Sequence, residues 1–405
     1  MNPFAIALLV LASDEQEREP KPPDAPSVVE SPKDDAPKDE SPPLKVTPLG
    51  YVEVYYAYNL NRPSNGITNY RGFDNRHDTF SLSNAALGAE LERGPVGAKV
   101  MLQIGSTPSA YYAAEPARAG SSGANATSGE LWKYLQEAYL TYKAPVGRGL
   151  LLQAGLVASP IGFEVFAVKD HWTWSRSNLF FGFPYYHTGV RATYAWTDAW
   201  STTVSVFNGW NSVVDNNEEK SVQTNVTYRP SDDLLVSALY FGGVERSTGS
   251  VEGPYWRHHF DFVAQAKLCD CLSVATQLDY GFEPNRIGTA RWIAGAVAAR
   301  ATLLPKHLFF VVRGDRFYEH LATNSAGQSS AALFWGGAEW VSSLTTTLDL
   351  RPHDNVSFRL EYRHDVAEAP LYFGQNVRGD GSAASPYVPN ARTQDTALLG
   401  ATAWF

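Results

Sequence analysis

The stretch VSFRLEYRHD, Val356 to Asp365, sorts itself by parity. Val356, Phe358, Leu360 and Tyr362 form one set; Ser357, Arg359, Glu361 and Arg363 form the other. A period of two belongs to a β-strand, whose successive side chains point to opposite faces. One face is therefore apolar and the other ionic. A chain built from many such strands needs an apolar surround on one side and water or paired charge on the other.

The same alternation recurs from about residue 49 to the end. GYVEVYYAYNL places Val52, Val54, Tyr56 and Tyr58 opposite Glu53 and Asn59. HFDFVAQAKL places Phe260, Phe262, Ala264 and Leu268 opposite His259, Asp261 and Lys267. LFFVVRGD sets Arg313 and Asp315 against Leu308, Phe310 and Val312; FWGGAEWVSSLTTTLDL sets Glu339 and Asp349 against Trp340, Leu344 and Leu348. The connections follow a second rule. Short turns at 92–97, 143–149, 196–200, 229–233, 268–271, 304–307 and 351–355 alternate with longer Gly-, Ser-, Asn- and Asp-rich connections. The longer ones fall near 61–78, 106–130, 158–186, 209–218, 244–255, 282–288, 318–331 and 366–392. This predicts about sixteen strands in an antiparallel meander, with short turns at one end and long loops at the other, the pattern of an outer-membrane barrel.

A soluble sandwich would share the alternation strand by strand. Three features favour the barrel. The strands read as about nine to twelve residues, longer than the usual five or six. The turn asymmetry holds throughout. Aromatics on the apolar face, such as Tyr58, Tyr142, Trp196, Trp200 and Tyr228, sit at strand ends, where membrane interfaces lie. The fold class expected is thus all-β: a single transmembrane antiparallel up-and-down barrel, with short periplasmic and long extracellular connections. In lipid every backbone N–H and C=O must be paired within the protein, which a closed barrel achieves. Arg359, Glu361 and Arg363 then face a lumen, and about sixteen strands leave room for an aqueous channel.

Composition agrees. No run of eighteen apolar residues offers a spanning helix. Among 405 residues the formal net charge is -9, which gives no basic footprint for nucleic acid. The first residues, with the apolar core FAIALLVLAS, read as a signal peptide over 1–13, although no Lys or Arg precedes the core. Residues 14–48 are rich in Pro, Asp, Glu and Lys and contain no aromatic, the composition of a disordered extension, here expected in the periplasm. The barrel is expected over 49–405.

The chain ends TQDTALLGATAWF, with Ala397, Leu399, Ala401 and Ala403 on the face of Phe405. This ending resembles the assembly signal of Gram-negative outer-membrane proteins, which implies recognition of Phe405 by the barrel assembly machinery. The stretches GLVASPIGFEVFAVKDHWTWSRSNLFFGFPYYHTGVRATY, VFNGWN and LRPHDNVSFRLEYRHD resemble the OmpL-like β-barrel porin family. The first is the most specific. The resemblance spans most of residues 49–405. It implies an outer-membrane channel for small hydrophilic solutes, embedded in outer-membrane lipid and lipopolysaccharide, with a homotrimer as one form and no enzyme chemistry.

By resemblance to sixteen-stranded porins, the connection after the fifth strand, 158–186, folds into the lumen. It carries Glu164, Lys169, Asp170, His171 and Arg176 among Phe163, Phe166, Trp172, Trp174, Phe180 and Phe181. We expect its aromatics to anchor it and its charges to line an eyelet. Arg191, Arg313, Arg359 and Arg363 would form a basic wall opposite Glu164 and Asp170, with Glu339 and Glu361 as further pore-lining residues. Such an eyelet discriminates by charge. The alternative is a loop covering the outside, with wall charges that merely pair across strands.

Other constellations are weaker. Cys269 and Cys271, in a short turn facing an oxidising compartment, are equally readable as a disulfide or as two small residues. No His lies near them, and two cysteines are too few for a metal. His258 and His259 face opposite ways. His364 beside Asp365 reads as a contact at a strand end rather than a catalytic pair. The chain has no phosphate loop, no HExxH and no GxSxG. No cofactor, metal ligand or catalytic residue is assigned. The rivals to a porin are an adhesive or structural barrel with a plugged lumen and, from another class, an outer-membrane hydrolase.

Overall fold

The computed structural model describes residues 42–116 and 127–405. The described residues form sixteen strands. The first eight are β1 (Lys45–Asn59), β2 (Thr79–Arg93), β3 (Val96–Ile104), β4 (Leu135–Ala144), β5 (Leu150–Ala158), β6 (Tyr186–Ala195), β7 (Trp200–Phe207) and β8 (Ser221–Ser231). The rest are β9 (Leu234–Val244), β10 (Trp256–Cys269), β11 (Leu272–Pro284), β12 (Thr289–Leu304), β13 (Leu308–His320), β14 (Trp340–His353), β15 (Val356–Ala367) and β16 (Thr393–Trp404). Each strand pairs with its sequence neighbours, and β1 closes the ring on β16 in a register running from Tyr51 opposite Trp404 to Asn59 opposite Thr396. Closure leaves no edge to satisfy, which is what a lipid-embedded sheet requires.

The strands span eight residues in β7 to sixteen in β12, a wider spread than expected. Short and long connections alternate around the ring as read from the sequence, and the fifth strand is followed by the connection 159–185. β1 begins earlier than residue 49: Lys45 to Pro48 already pair with Glu92 to Ala89, because the alternation of Val52 and Val54 extends back to Val46. The signal segment expected at 1–13 and residues 14–41 of the extension expected over 14–48 lie outside the described residues.

Parity resolves as the opening stretch demanded. Phe358, Leu360 and Tyr362 are 45, 58 and 45% exposed, whereas Arg359, Glu361 and Arg363 are at most 2% exposed. An outer belt of aliphatic side chains continues around the ring through Leu87, Leu140, Val190, Val204, Leu278, Val297, Leu344 and Leu399. Tyr142, Trp196 and Trp200 stand exposed at the short-turn end, and Trp200 packs its ring 4.5 Å from that of Tyr228. Cys269 and Cys271 are joined as a disulfide across the β10–β11 turn, which settles the alternatives left open for them.

Inside, the long connections do not stand away from the barrel. Phe73, Phe166, Phe180 and Phe183 pack with Tyr111, Tyr112 and Tyr186 in one buried cluster. Trp335 packs with Trp292 and Phe317 in a second. With Trp210 and Tyr372 packed on the same clusters, six long connections contribute aromatic side chains to the interior near the long-loop mouth.

Candidate functional site

A loop inside a barrel has no strand partner, so its buried backbone groups must find side chains. The connection 159–185 finds them on the inward faces of five strands. The Gly162 N–H reaches the Asp261 carboxylate at 3.3 Å, and the Phe163 N–H reaches Gln277 Oε1 at 3.4 Å. Gly162 has φ +82°, and a Cβ there would meet the Gln277 amide at 2.8 Å, so only glycine fits this entry. Glu164 turns to the β13 wall, where Arg313 Nη1 donates to it at 2.6 Å; the Ser177 N–H and hydroxyl donate to the same carboxylate at 2.8 and 2.5 Å.

The middle of the loop crosses to β15 and β1. Arg359 donates from Nη1 to the carbonyls of Val168 and Thr173, both at 2.9 Å, and from Nη2 to that of His171 at 2.7 Å. Glu361 accepts the N–H groups of Trp174 and Ser175 at 2.5 and 2.9 Å and the Thr347 hydroxyl at 2.8 Å. Glu53 accepts the Val168 N–H at 2.6 Å. Arg363, paired with Asp365 at 2.7 Å, donates to the carbonyl of Arg176 and to Asn178 Oδ1. Asp315 accepts from the Asn178 backbone and side chain at 3.2 and 2.7 Å. Trp174 lies flat on the β16 wall at Gly400, where a Cβ would come within 2.2 Å of the ring.

His171 closes the turn through Nε2, which lies against both the N–H and the carbonyl oxygen of Val165. Burial is the main cause that holds its imidazole well below the ordinary histidine range, and the cations of Arg176, Arg359 and Arg313 add to it. The ring is therefore neutral at neutral pH.

These contacts correct the expected eyelet. Glu164, Arg176, Arg313, Arg359, Glu361 and Arg363 are at most 4% exposed and are bound between loop and wall, not open to water. Arg313 does not oppose Glu164 across a passage; it grips it. Arg176 is also turned into the loop, donating to the carbonyls of Phe166 and Trp174, with its guanidinium 4.8 Å from the Phe73 ring. Glu339 is exposed in the connection just before β14 and lies outside the lumen wall, because the strand begins one residue after it. Charges as well as aromatics thus fasten the loop.

What stays accessible is different. Lys169 and Asp170 pair at 2.7 Å on the free side of the loop. On the inward face of β2 to β6, Lys99 pairs with Glu137 at 2.9 Å and lies 3.8 Å from Glu90. Arg191, half-buried on β6, donates to the Ala158 carbonyl at 3.2 Å and is remote from the arginines of β13 and β15. The residues missed in the sequence are Glu53, Asp261, Gln277 and Asp315. Each is a polar residue of inward parity, and that parity was the available signal. Among the described residues no group of His, Cys, Asp or Glu is placed to hold a metal ion. His364 pairs with Asp395 at 2.7 Å on the outward face, together with Tyr362, as a cross-strand contact.

An alternating sixteen-stranded ring with a lipid-facing belt and a loop bonded inside its wall is an outer-membrane barrel of the porin class. The sequence matches over residues 45–405 the family described as "Putative beta-barrel porin-2, OmpL-like", and the chain belongs to that family. No curated protein matches the sequence. Among solved structures, the trimer form of OmpT, an outer-membrane protein of Vibrio cholerae, aligns with TM-score 0.56 at 10% identity over 89% of this chain and 99% of its own. The anion-selective porin from Comamonas acidovorans aligns with TM-score 0.56 at 11% identity, covering 90% of this chain and all of its own. Salmonella typhi OmpF, in complex with daunomycin, gives 0.53 at 12% identity over 89% and 97%. At these identities the likeness is one of fold.

Proposed function

We propose that the protein is a passive outer-membrane channel for small hydrophilic solutes or ions, narrowed by the connection 159–185. The observation that carries this is the loop's attachment: inward charges on β13 and β15 hold it across the interior, while Lys99, Glu137 and Arg191 on the other wall keep partial exposure. Lys169 and Asp170, which keep exposure on the loop, are the loop charges a passing solute would meet. In this reading the long connections face the cell exterior, residues 14–41 extend into the periplasm after removal of 1–13, and Phe405 directs assembly. A homotrimer is in keeping with the trimer form of the Vibrio cholerae relative.

The test is liposome swelling with graded sugars, amino acids and salts, joined to reversal potentials. Lys169→Gln should move selectivity toward cations and Asp170→Asn toward anions. No shift in either variant would reject the accessible pair as the selective element. A second reading, a barrel with a plugged lumen whose loops bind a partner, is favoured by the aromatic packing of six long connections in the mouth. Absence of solute flux from vesicles that contain folded protein would select it.

A further inference from the structure

The outward face of a membrane barrel should be apolar, and departures from that rule ask for a reason. β12 and β13 carry three. Arg291 and His320 lie directly opposite each other at the long-loop rim. Below them the row is Ile293, Tyr318 and Trp340. The next row down is Gly295, Arg316 and Ser342. Arg316 thus sits four residues inside His320, roughly 13 Å along the strand at about 3.3 Å per residue, on the face that elsewhere meets hydrocarbon. Arg291, Arg316 and His320 are all exposed. Among the described residues none of the three side chains enters a hydrogen bond or an ion pair.

The arginine is not loose. Its guanidinium carbon lies 4.6 Å from the Tyr318 ring and 4.1 Å from the Trp340 ring, the two aromatics of the row above. Stacking there turns the cation up the barrel toward Arg291 and His320, as an arginine near an interface extends toward the headgroups. Gly314, next down on the same face, leaves room beside it: a Cβ there would meet nothing within 4 Å. Just above, an outward groove of about 330 Å³ is lined by Tyr280, Arg291, Ile293, Tyr318, His320 and Glu339. Glu319 also borders it but spends its carboxylate on the N–H groups of Leu333, Phe334 and Trp335. The rim carboxylates Glu339 and Glu368 lie beside the groove, but among the described residues neither forms an ion pair with Arg291 or Arg316.

We propose that this face binds the phosphates of a phosphorylated glycolipid of the lipid A type in the surrounding leaflet. Unpaired cations at headgroup depth recruit anionic lipid. Two arginines staggered along the wall suit a headgroup that carries two phosphates on a sugar frame, whereas phosphatidylglycerol or phosphatidylethanolamine brings one. The flanking Tyr280, Tyr318 and Trp340 offer apolar faces to the sugar and to the first methylenes of the chains. The assignment of the leaflet rests on the proposed orientation, with long connections outside.

The experiment uses the full chain, folded in detergent and analysed by native mass spectrometry with diphosphoryl lipid A, its dephosphorylated form, phosphatidylglycerol and inorganic phosphate as probes. Wild type should retain one diphosphoryl lipid A. R291Q/R316Q should reduce its occupancy at least tenfold, each single variant should fall between, and R291K/R316K should stay within threefold of wild type. Equal retention by R291Q/R316Q would overturn the site. So would equal binding of the dephosphorylated lipid or of phosphatidylglycerol, or displacement by millimolar inorganic phosphate. Conductance of the same samples should not change, so loss of the channel reads on the proposed function and loss of lipid on this site. Labelling of Thr248→Cys on intact cells tests the orientation separately: protection from the reagent would refute the leaflet while leaving binding in detergent intact.

Discussion

Arg359→Met removes the wall arginine that binds three carbonyls of the inner loop while keeping a side chain of similar length. Arg359 holds three carbonyls, those of Val168, Thr173 and His171, at 2.7–2.9 Å, and is itself fully buried. Hydrogen bonds to a charged group contribute roughly 1.5–3 kcal/mol each. Stranding three buried acceptors therefore costs on the order of 5 kcal/mol, and the loop will detach locally sooner than bear it. The wall itself should hold: Asp349 keeps Arg351 at 2.9 Å and the Ser357 hydroxyl at 2.6 Å, and the ladder between β14 and β15 is untouched. Local opening then becomes easier by at least two orders of magnitude, at about 1.4 kcal/mol per factor of ten. Hydrogen exchange followed by mass spectrometry on the protein in nanodiscs reads this directly. Amides from Phe166 to Arg176 should exchange at least a hundredfold faster, with β13 to β16 unchanged, and single-channel conductance should rise. Unaltered exchange across the loop would refute the clamp. Faster exchange of the whole barrel would show that Arg359 supports the wall instead.

Further outcomes follow from the same contacts. His171 is held neutral in place and, once the loop is released, titrates near its ordinary value of about 6.5, so its contribution to attachment is complete above that value and declines as pH falls below it; loop exchange divided by the intrinsic rate at each pH should rise between pH 7 and 5 in wild type, and His171→Gln should flatten that slope. Gly400→Val would drive a methyl into the Trp174 ring, so Trp174 fluorescence in a variant lacking the other tryptophans should shift red while the heat-modifiable band on gels persists. Leu360→Arg, on the outward face in the interior of β15, should cost about 2–4 kcal/mol in urea titrations of vesicle-folded protein.

The barrel was legible because its cause is local. Hydrocarbon on one side and polar interior on the other write a period of two into every strand, and closure needs only that each strand find its neighbour. The fifth connection could be singled out by its content of charge and aromatics. The use of those charges was not legible, because an inward arginine leaves the same mark in the sequence whether it meets water or a loop carbonyl. Glu164 and Arg313 are 149 positions apart, and Trp174 and Glu361 187 apart, separations over which alternation carries no information. β1's start at Lys45 was hidden by the Pro- and charge-rich segment that runs into it. The pairing of Cys269 with Cys271 depended on a turn geometry that spacing alone left open.

The most direct measurement is the single-channel current of the purified wild-type protein in a planar bilayer. A water-filled passage beside a fastened loop predicts discrete, stable conductance steps in salt. Folded, membrane-inserted protein that never raises the current above that of bare lipid would contradict it.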